Sequence, residues 1–156
     1  MLSKLLFSCL AVFVSVSFLA AQNNYQTAIE KKDIRTVQKS DVDVNAAFVS
    51  EGQRLTPLSY AAVRADAEMV SVLLKKGASA KTLVDGQDAL MYAAIGGNKE
   101  CVDLILAAGA NVMNESKEGK TARDFAVQAG HTDIAIALEQ AMQKVVDQAK
   151  AKRNKK

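Results

Sequence analysis

Histidine and cysteine are almost missing from this chain. One histidine and two cysteines occur in 156 residues, and Cys9 lies in an N-terminal stretch that reads as removable. Cys101 would then be the last cysteine. Such a set builds no His/Cys zinc site and no Ser-His-Asp or Cys-His catalytic group. It also builds no disulfide framework, so an oxidising compartment would find nothing to cross-link within the molecule. Charge of one sign is missing too. A net charge of +3 at pH 7 demands no polyanionic partner. Gly96-Gly97 has neither the strand nor the spacing of a phosphate loop. The acids Asp85, Glu115 and Glu118 fall in turns, solvated and apart, rather than paired in a cleft. No catalytic residue, no metal site and no cofactor is expected.

What is present is repetition. The stretch from Asp85 to Val112 holds one complete unit. Asp85-Gly86 is a turn dipeptide, with Gly supplying positive φ. Asp88 can cap a helix over residues 89–96, in which Leu90, Ala93 and Ala94 share one face. Gly96-Gly97 ends that helix. Asn98 begins a second, striped by Cys101, Val102, Ile105 and Leu106. Gly109 closes it in the left-handed region. Helices of two or three turns are unstable alone, so the unit must stack on copies of itself. The copies are there. Asp88 aligns with Thr56 and Thr121, at offsets of 32 and 33 residues. Under that register Ala61, Ala93 and Ala126 coincide, as do Asp66, Asn98 and His131, then Met69, Cys101 and Ile134, then Leu73, Ile105 and Leu138. Cys101 thus reads as a small buried hydrophobe, and His131 as a residue that helps start a second helix. Tyr60, Tyr92 and Phe125 recur at one position and read as core, not as base-stacking aromatics.

A turn and two helices at a period near 33 is a known repeat class. The run TPLSYAA at Thr56–Ala62, followed by Val70, Leu73-Leu74 and Gly77-Ala78, resembles an ankyrin repeat. SYAA stands where that family prefers H-x-A-A. Asp88-Ala89 and Thr121-Ala122 replace its Thr-Pro, which leaves the caps intact because Asp and Thr both cap. Only Pro57 keeps the favoured first-turn proline. The resemblance covers roughly Asn24 to Met142. It implies an all-α solenoid of stacked helix–turn–helix units with β-turn fingers, in units of about 24–50, 51–83, 84–116 and 117–142 within a domain over 22–142.

The ends depart from the pattern. Asn24–Asn45 reads as a shortened first unit whose second helix, opened by Asp33, is about one turn short. Glu30, Lys31, Lys32 and Arg35 give it the polar outer face of a cap. In the finger over Ala46–Leu55, Arg54 sits in the usual Gly place, so this finger is expected to be less regular. In the last unit Arg123 and Glu139 fall on apolar positions and Met142 replaces the Gly stop. The stack should end there, with the helix from Thr132 running well past Ala141. Residues 143–156 form a basic extension with six cations and one acid. It reads first as a frayed solubilising end and second as a contact for anionic surfaces.

Residues 1–21 are of another kind. Lys4 is their one charge, and an uncharged run reaches Ala21. A positive start, an apolar stretch and small residues before a polar one describe a secretory signal peptide, although Phe18 and Leu19 make the cleavage site imperfect. The alternative is an uncleaved anchor, at the short limit for a span. Cys9 has too little apolar sequence before it for a lipoprotein site.

Solenoids bind on the concave face that stacking creates. The ankyrin resemblance places that face on the fingers and the exposed side of each first helix. The matching positions here are Gln53, Leu55, Asp85, Gln87, Glu118 and Lys120 on fingers, and Val63, Arg64, Ile95 and Gln128 on helices. Leu55, Val63 and Ile95 are apolar where a solvated face would be polar, as in the core of an interface. The expected partner is another protein, with no nucleic acid, no stable membrane insertion once the signal is cleaved, and a monomeric state. The leading reading is a non-catalytic interaction module in the periplasm or secreted. The alternatives are a membrane-tethered form and an accessory or immunity protein protecting an exported enzyme.

Overall fold

The structure, a computed structural model, describes residues 24–154. The signal-like segment 1–21 therefore lies outside the described residues. The chain divides into two compact units between Asp43 and Val44.

In the first unit residues 24–30 are helical, here α1, followed by α2 over Ile34–Lys39. Asp33 caps α2: its carboxylate accepts the Thr36 N–H at 3.1 Å and the Thr36 hydroxyl at 2.7 Å. Tyr25, Ala28, Ile29 and Val37 are buried. At 6 residues α2 is a turn shorter than the later second helices, which have 9.

The second unit opens with a hairpin, β1 (Phe48–Ser50) and β2 (Gln53–Leu55). Three helix pairs follow: α3 (Pro57–Val63) with α4 (Ala67–Lys75), α5 (Ala89–Gly96) with α6 (Lys99–Ala107), and α7 (Ala122–Ala129) with α8 (Thr132–Arg153). Helices α3, α5 and α7 pack in sequence as one layer. Helix α4 packs on α6 in the second layer, and α8 lies on α7. The core sits between the layers, with Leu58, Met69, Leu73, Leu90, Met91, Ile105, Ile134 and Leu138 fully buried.

Local signals place these elements. Thr56, Asp88 and Thr121 each accept a backbone N–H three residues on, at 3.1, 3.0 and 3.4 Å. This satisfies one of the donors that a helix start leaves orphaned. The second helices end on left-handed glycines, Gly77 (φ 93) and Gly109 (φ 88). There Ala78 and Ala110 donate back to Leu73 and Ile105 at 2.9 and 3.2 Å, the bonding of a Schellman turn.

Polar side chains bind one repeat to the next. Asn98 Oδ1 accepts the Cys101 N–H at 3.2 Å, while its Nδ2 donates to the Ala65 carbonyl at 3.1 Å. Asn45 accepts the Ser79 N–H at 2.8 Å. His131 corrects the sequence reading. It occupies the cap position of α8 but makes no side-chain cap bond. Its Nε2 instead donates to the Ile95 carbonyl at 3.1 Å, and its ring lies against Gly97. The ring reaches the preceding repeat through Nε2, as Asn98 does through Nδ2.

The first finger also corrects the reading. Its turn is Glu51-Gly52 (φ 51 and 79), not the positions around Arg54. Positive φ at both residues makes a type I′ turn, whose twist matches the paired strands. Arg54 lies on β2 opposite Val49, and three residue pairs form. In the second finger, Asp85-Gly86 (φ 52 and 88) makes the same turn but closes a single pair, Val84 with Gln87. The finger expected to be irregular is thus the longer ladder. The third finger closes with Ser116 N–H donating to the Lys120 carbonyl at 2.8 Å and Gly119 at φ 71.

At the far end Arg123 Nε meets Glu139 at 2.5 Å. The equivalent residues one repeat earlier are Leu90, which is fully buried, and Leu106. An ion pair stands where the interior repeat presents leucines, and Val127 and Ile136 lie exposed beside it.

Candidate functional site: the finger and inner-helix face

Position 55 and its repeat equivalents, 87 and 120, immediately precede the helix cap. Five residues on stands an aromatic ring: Tyr60, Tyr92 and Phe125. These rings anchor the inner layer, and each carries a polar or cationic cover. Arg64 lies over the Tyr60 ring at 5.8 Å. Tyr92 donates its hydroxyl hydrogen to Gln87 at 2.8 Å. Lys120 lies over the Phe125 ring at 5.9 Å and donates to Gln128 at 3.4 Å. Four of the expected residues, Arg64, Gln87, Lys120 and Gln128, are thus gathered around one row of rings. Cation–π contacts at such exposed sites contribute about 0.5–1 kcal/mol.

Gln53, Asp85 and Glu118 stand exposed on the fingers, and Val63 and Ile95 are half-buried at the ends of α3 and α5. Leu55 is a correction. At 4% exposure it belongs to the core. Leu55 shares a face of β2 with Gln53 by strand alternation, but it sits at the base of the hairpin, where β2 meets α3. Gln53 lies at the tip, beyond the reach of the helices. The same face is therefore wet at one end and dry at the other.

Two neighbours escape the sequence reading. Phe48 packs on Tyr60 with ring centres 5.6 Å apart. Arg54 reaches across to Asp85 of the next finger at 4.0 Å. The signal for both was Glu51-Gly52: fixing the turn there fixes the strands on either side. The Arg54–Asp85 pair is exposed at both ends and worth at most about 1 kcal/mol. Burial raises the pKa of the Tyr92 hydroxyl, with Asp85 adding to it, so Tyr92 stays a neutral donor to Gln87. Asp85 and Glu118 offset Arg54, Arg64 and Lys120, which leaves the face mixed in sign. Among the described residues no group of three or more His, Cys, Asp or Glu could hold a metal ion. No helix among them is long and apolar enough to cross a membrane. The face offers the aliphatic edges of Val63 and Ile95 and a set of polar groups laid over a buried row of rings.

A stack of turn–helix–helix units at a period near 33, with projecting fingers, defines a repeat solenoid. The family model described as Ankyrin repeats (3 copies) matches residues 17–116 and 58–148, and the chain belongs to the ankyrin-repeat family. It is 36% identical over 99 residues to Ankyrin repeat and SAM domain-containing protein 6 of Rattus norvegicus, covering 62% of this chain and 11% of that protein. It is 33% identical over 118 residues to Ankyrin repeat, SAM and basic leucine zipper domain-containing protein 1 of Atelerix albiventris, covering 70% and 24%. A third relative is the Transient receptor potential cation channel subfamily A member 1 homolog of Caenorhabditis elegans, 35% identical over 83 residues, covering 53% and 7%. The match spans at most 24% of any of these three relatives. Ankyrin repeats mediate protein–protein interaction and are typically non-catalytic.

Proposed function

We propose that this chain is an exported interaction module that holds a partner protein along the fingers and the α3–α5–α7 layer. The observation that carries the reading is the row of Tyr60, Tyr92 and Phe125 at one repeat position, covered by Gln87 and Lys120 at a second shared position and by Arg64 from the end of α3. The rings are themselves buried and hold the layer rigid, so the half-buried Val63 and Ile95 beside them offer apolar area at little entropic cost, and the polar covers supply orientation. Interfaces concentrate their energy in a few such residues. Export to the periplasm or the cell exterior is supported by the charge and apolar pattern of residues 1–21.

The test begins with affinity purification from the native compartment to name the partner. Arg64→Glu combined with Ile95→Ser should then weaken binding by at least about 2 kcal/mol while leaving the denaturation midpoint nearly unchanged. Retained affinity in this variant would remove the face from the mechanism. Intact mass of the natural protein tests export: a chain beginning near Gln22 supports it, and one that retains residues 1–21 points to a tether.

A further inference from the structure

Helix α8 is 22 residues long, against 9 for each of the second helices α4 and α6. Its first part belongs to the stack, where Ile134, Ala135 and Leu138 are buried. The same stripe continues at helical spacing as Met142, Val145, Val146 and Ala149. Along it burial fades. Met142 and Val146 are half-buried, Val145 is 44% exposed and Ala149 is exposed. The helix continues through Arg153 all the same. Around the unpartnered stripe stand Lys144, Lys150, Lys152 and Arg153, with Asp147 the one carboxylate from residue 143 onward. Cations in a last turn complement the helix macrodipole, which accounts for Lys150, Lys152 and Arg153. It does not account for Lys144, nor for an apolar stripe that leaves the core and goes on.

The charge decides what can cover this helix. A second copy would bring like charges together, so self-pairing is disfavoured. At 100° per residue, Lys152 and Lys150 fall on the two edges of the stripe, Arg153 within it and Lys144 away from it, so the cations form no single row. A protein partner reads cations in a fixed register, whereas a headgroup layer is a diffuse negative field that a spread set satisfies equally well. A short aliphatic stripe flanked by lysine and arginine is the make-up of a helix lying in an interface. We propose that the α8 extension, through Lys144, Lys150, Lys152 and Arg153 with Val145 and Ala149 beneath them, rests on an anionic lipid surface.

Sedimentation of the full chain with phosphatidylcholine vesicles, with and without 30 mol% (about a third) phosphatidylglycerol, tests this. The readout is the ratio of partition on anionic over neutral vesicles, in which any affinity from the uncharged residues 5–21 cancels, and Lys4 is common to every variant, so the comparison between variants isolates the α8 cations. The wild-type ratio should be large at low salt and fall steeply with added NaCl. The variant Lys144→Gln, Lys150→Gln, Lys152→Gln, Arg153→Gln should lose on the order of a hundred-fold or more. Asp147→Lys should move the ratio upward by roughly tenfold, a direction that fraying of the helix would not produce. A wild-type ratio near one overturns the proposal, as does an unchanged ratio in the glutamine variant. Equal affinity for polyglutamate or duplex DNA at matched salt would also overturn it, by making the extension a general polyanion binder.

Discussion

Gly96→Ala separates local propensity from tertiary packing, because the two predict opposite signs. Gly96 is the last residue of α5 and is helical. Considered alone, a methyl there should stabilise the helix by about 1 kcal/mol, the propensity gap between glycine and alanine. Its Cβ, however, would fall 2.4 Å from the Ala62 carbonyl oxygen and 2.9 Å from that of Val63. Close carbon–oxygen contacts lie near 3.3 Å, so the first is short by about 0.9 Å. Both obstacles are backbone at the end of α3, and neither can swing aside. Overpacking of this kind costs typically about 1–3 kcal/mol, and two rigid obstacles put the cost at the upper end. Subtracting the propensity gain leaves a net loss of about 2 kcal/mol, or roughly 8 °C in melting temperature for a domain of this size. Urea unfolding at constant m-value reads it directly. Ala129 supplies the mirror control: it occupies the same repeat position in the last unit, is exposed, and on change to Gly should lose about 0.5–1 kcal/mol from propensity alone. A stabilised or unchanged Gly96→Ala protein would refute the close approach of α3 and α5.

Three further outcomes follow from the same geometry. Ile105 is fully buried between the layers, so Ile105→Ala should cost about 2–4 kcal/mol in denaturant melts, and a loss below about 0.5 kcal/mol would count against the repeat register. Ala65 holds φ 57 where the other repeats have Gly97 and Gly130; Ala65→Gly should stabilise by about 1 kcal/mol, and a destabilised variant would show that the left-handed turn there is not strained. The Asp124 pKa lies below the usual carboxylate value, first because its carboxylate accepts the Thr121 N–H and then the Thr121 hydroxyl. A depressed folded pKa contributes stability above the unfolded value near 4 and loses it as pH falls through the folded one. The cost of Asp124→Ala at pH 7 should therefore shrink as pH falls below the usual carboxylate value and through the lowered folded one, and a cost that is flat with pH would refute the capping role.

The sequence by itself determined the repeat and its punctuation. Thr56, Asp88 and Thr121 cap because a short oxygen-bearing side chain meets a backbone N–H three residues on, a matter settled within one turn. Gly77 and Gly109 stop helices because a left-handed residue suits them, and that too is local. The long α8 was legible in the missing glycine stop at Met142. Arg123 and Glu139 were legible as charges on apolar repeat positions, although their mutual bond needed the two helices to be placed. Tertiary structure decided the rest. Leu55 and Gln53 share a strand face, and only the position of α3 makes one dry and the other wet. His131 and Asn98 share a repeat position and both reach the preceding repeat, and only the structure shows that Asn98 also caps its own helix while His131 does not. Gly96 looks like a helix stop, yet the residue type is demanded by the carbonyls of Ala62 and Val63, which lie more than 30 residues back in the chain. Backbone dihedrals and caps are chosen by neighbours in sequence. Burial, close approach and the covering of rings are chosen by neighbours in space, and a repeat register brings those together without saying how near they come.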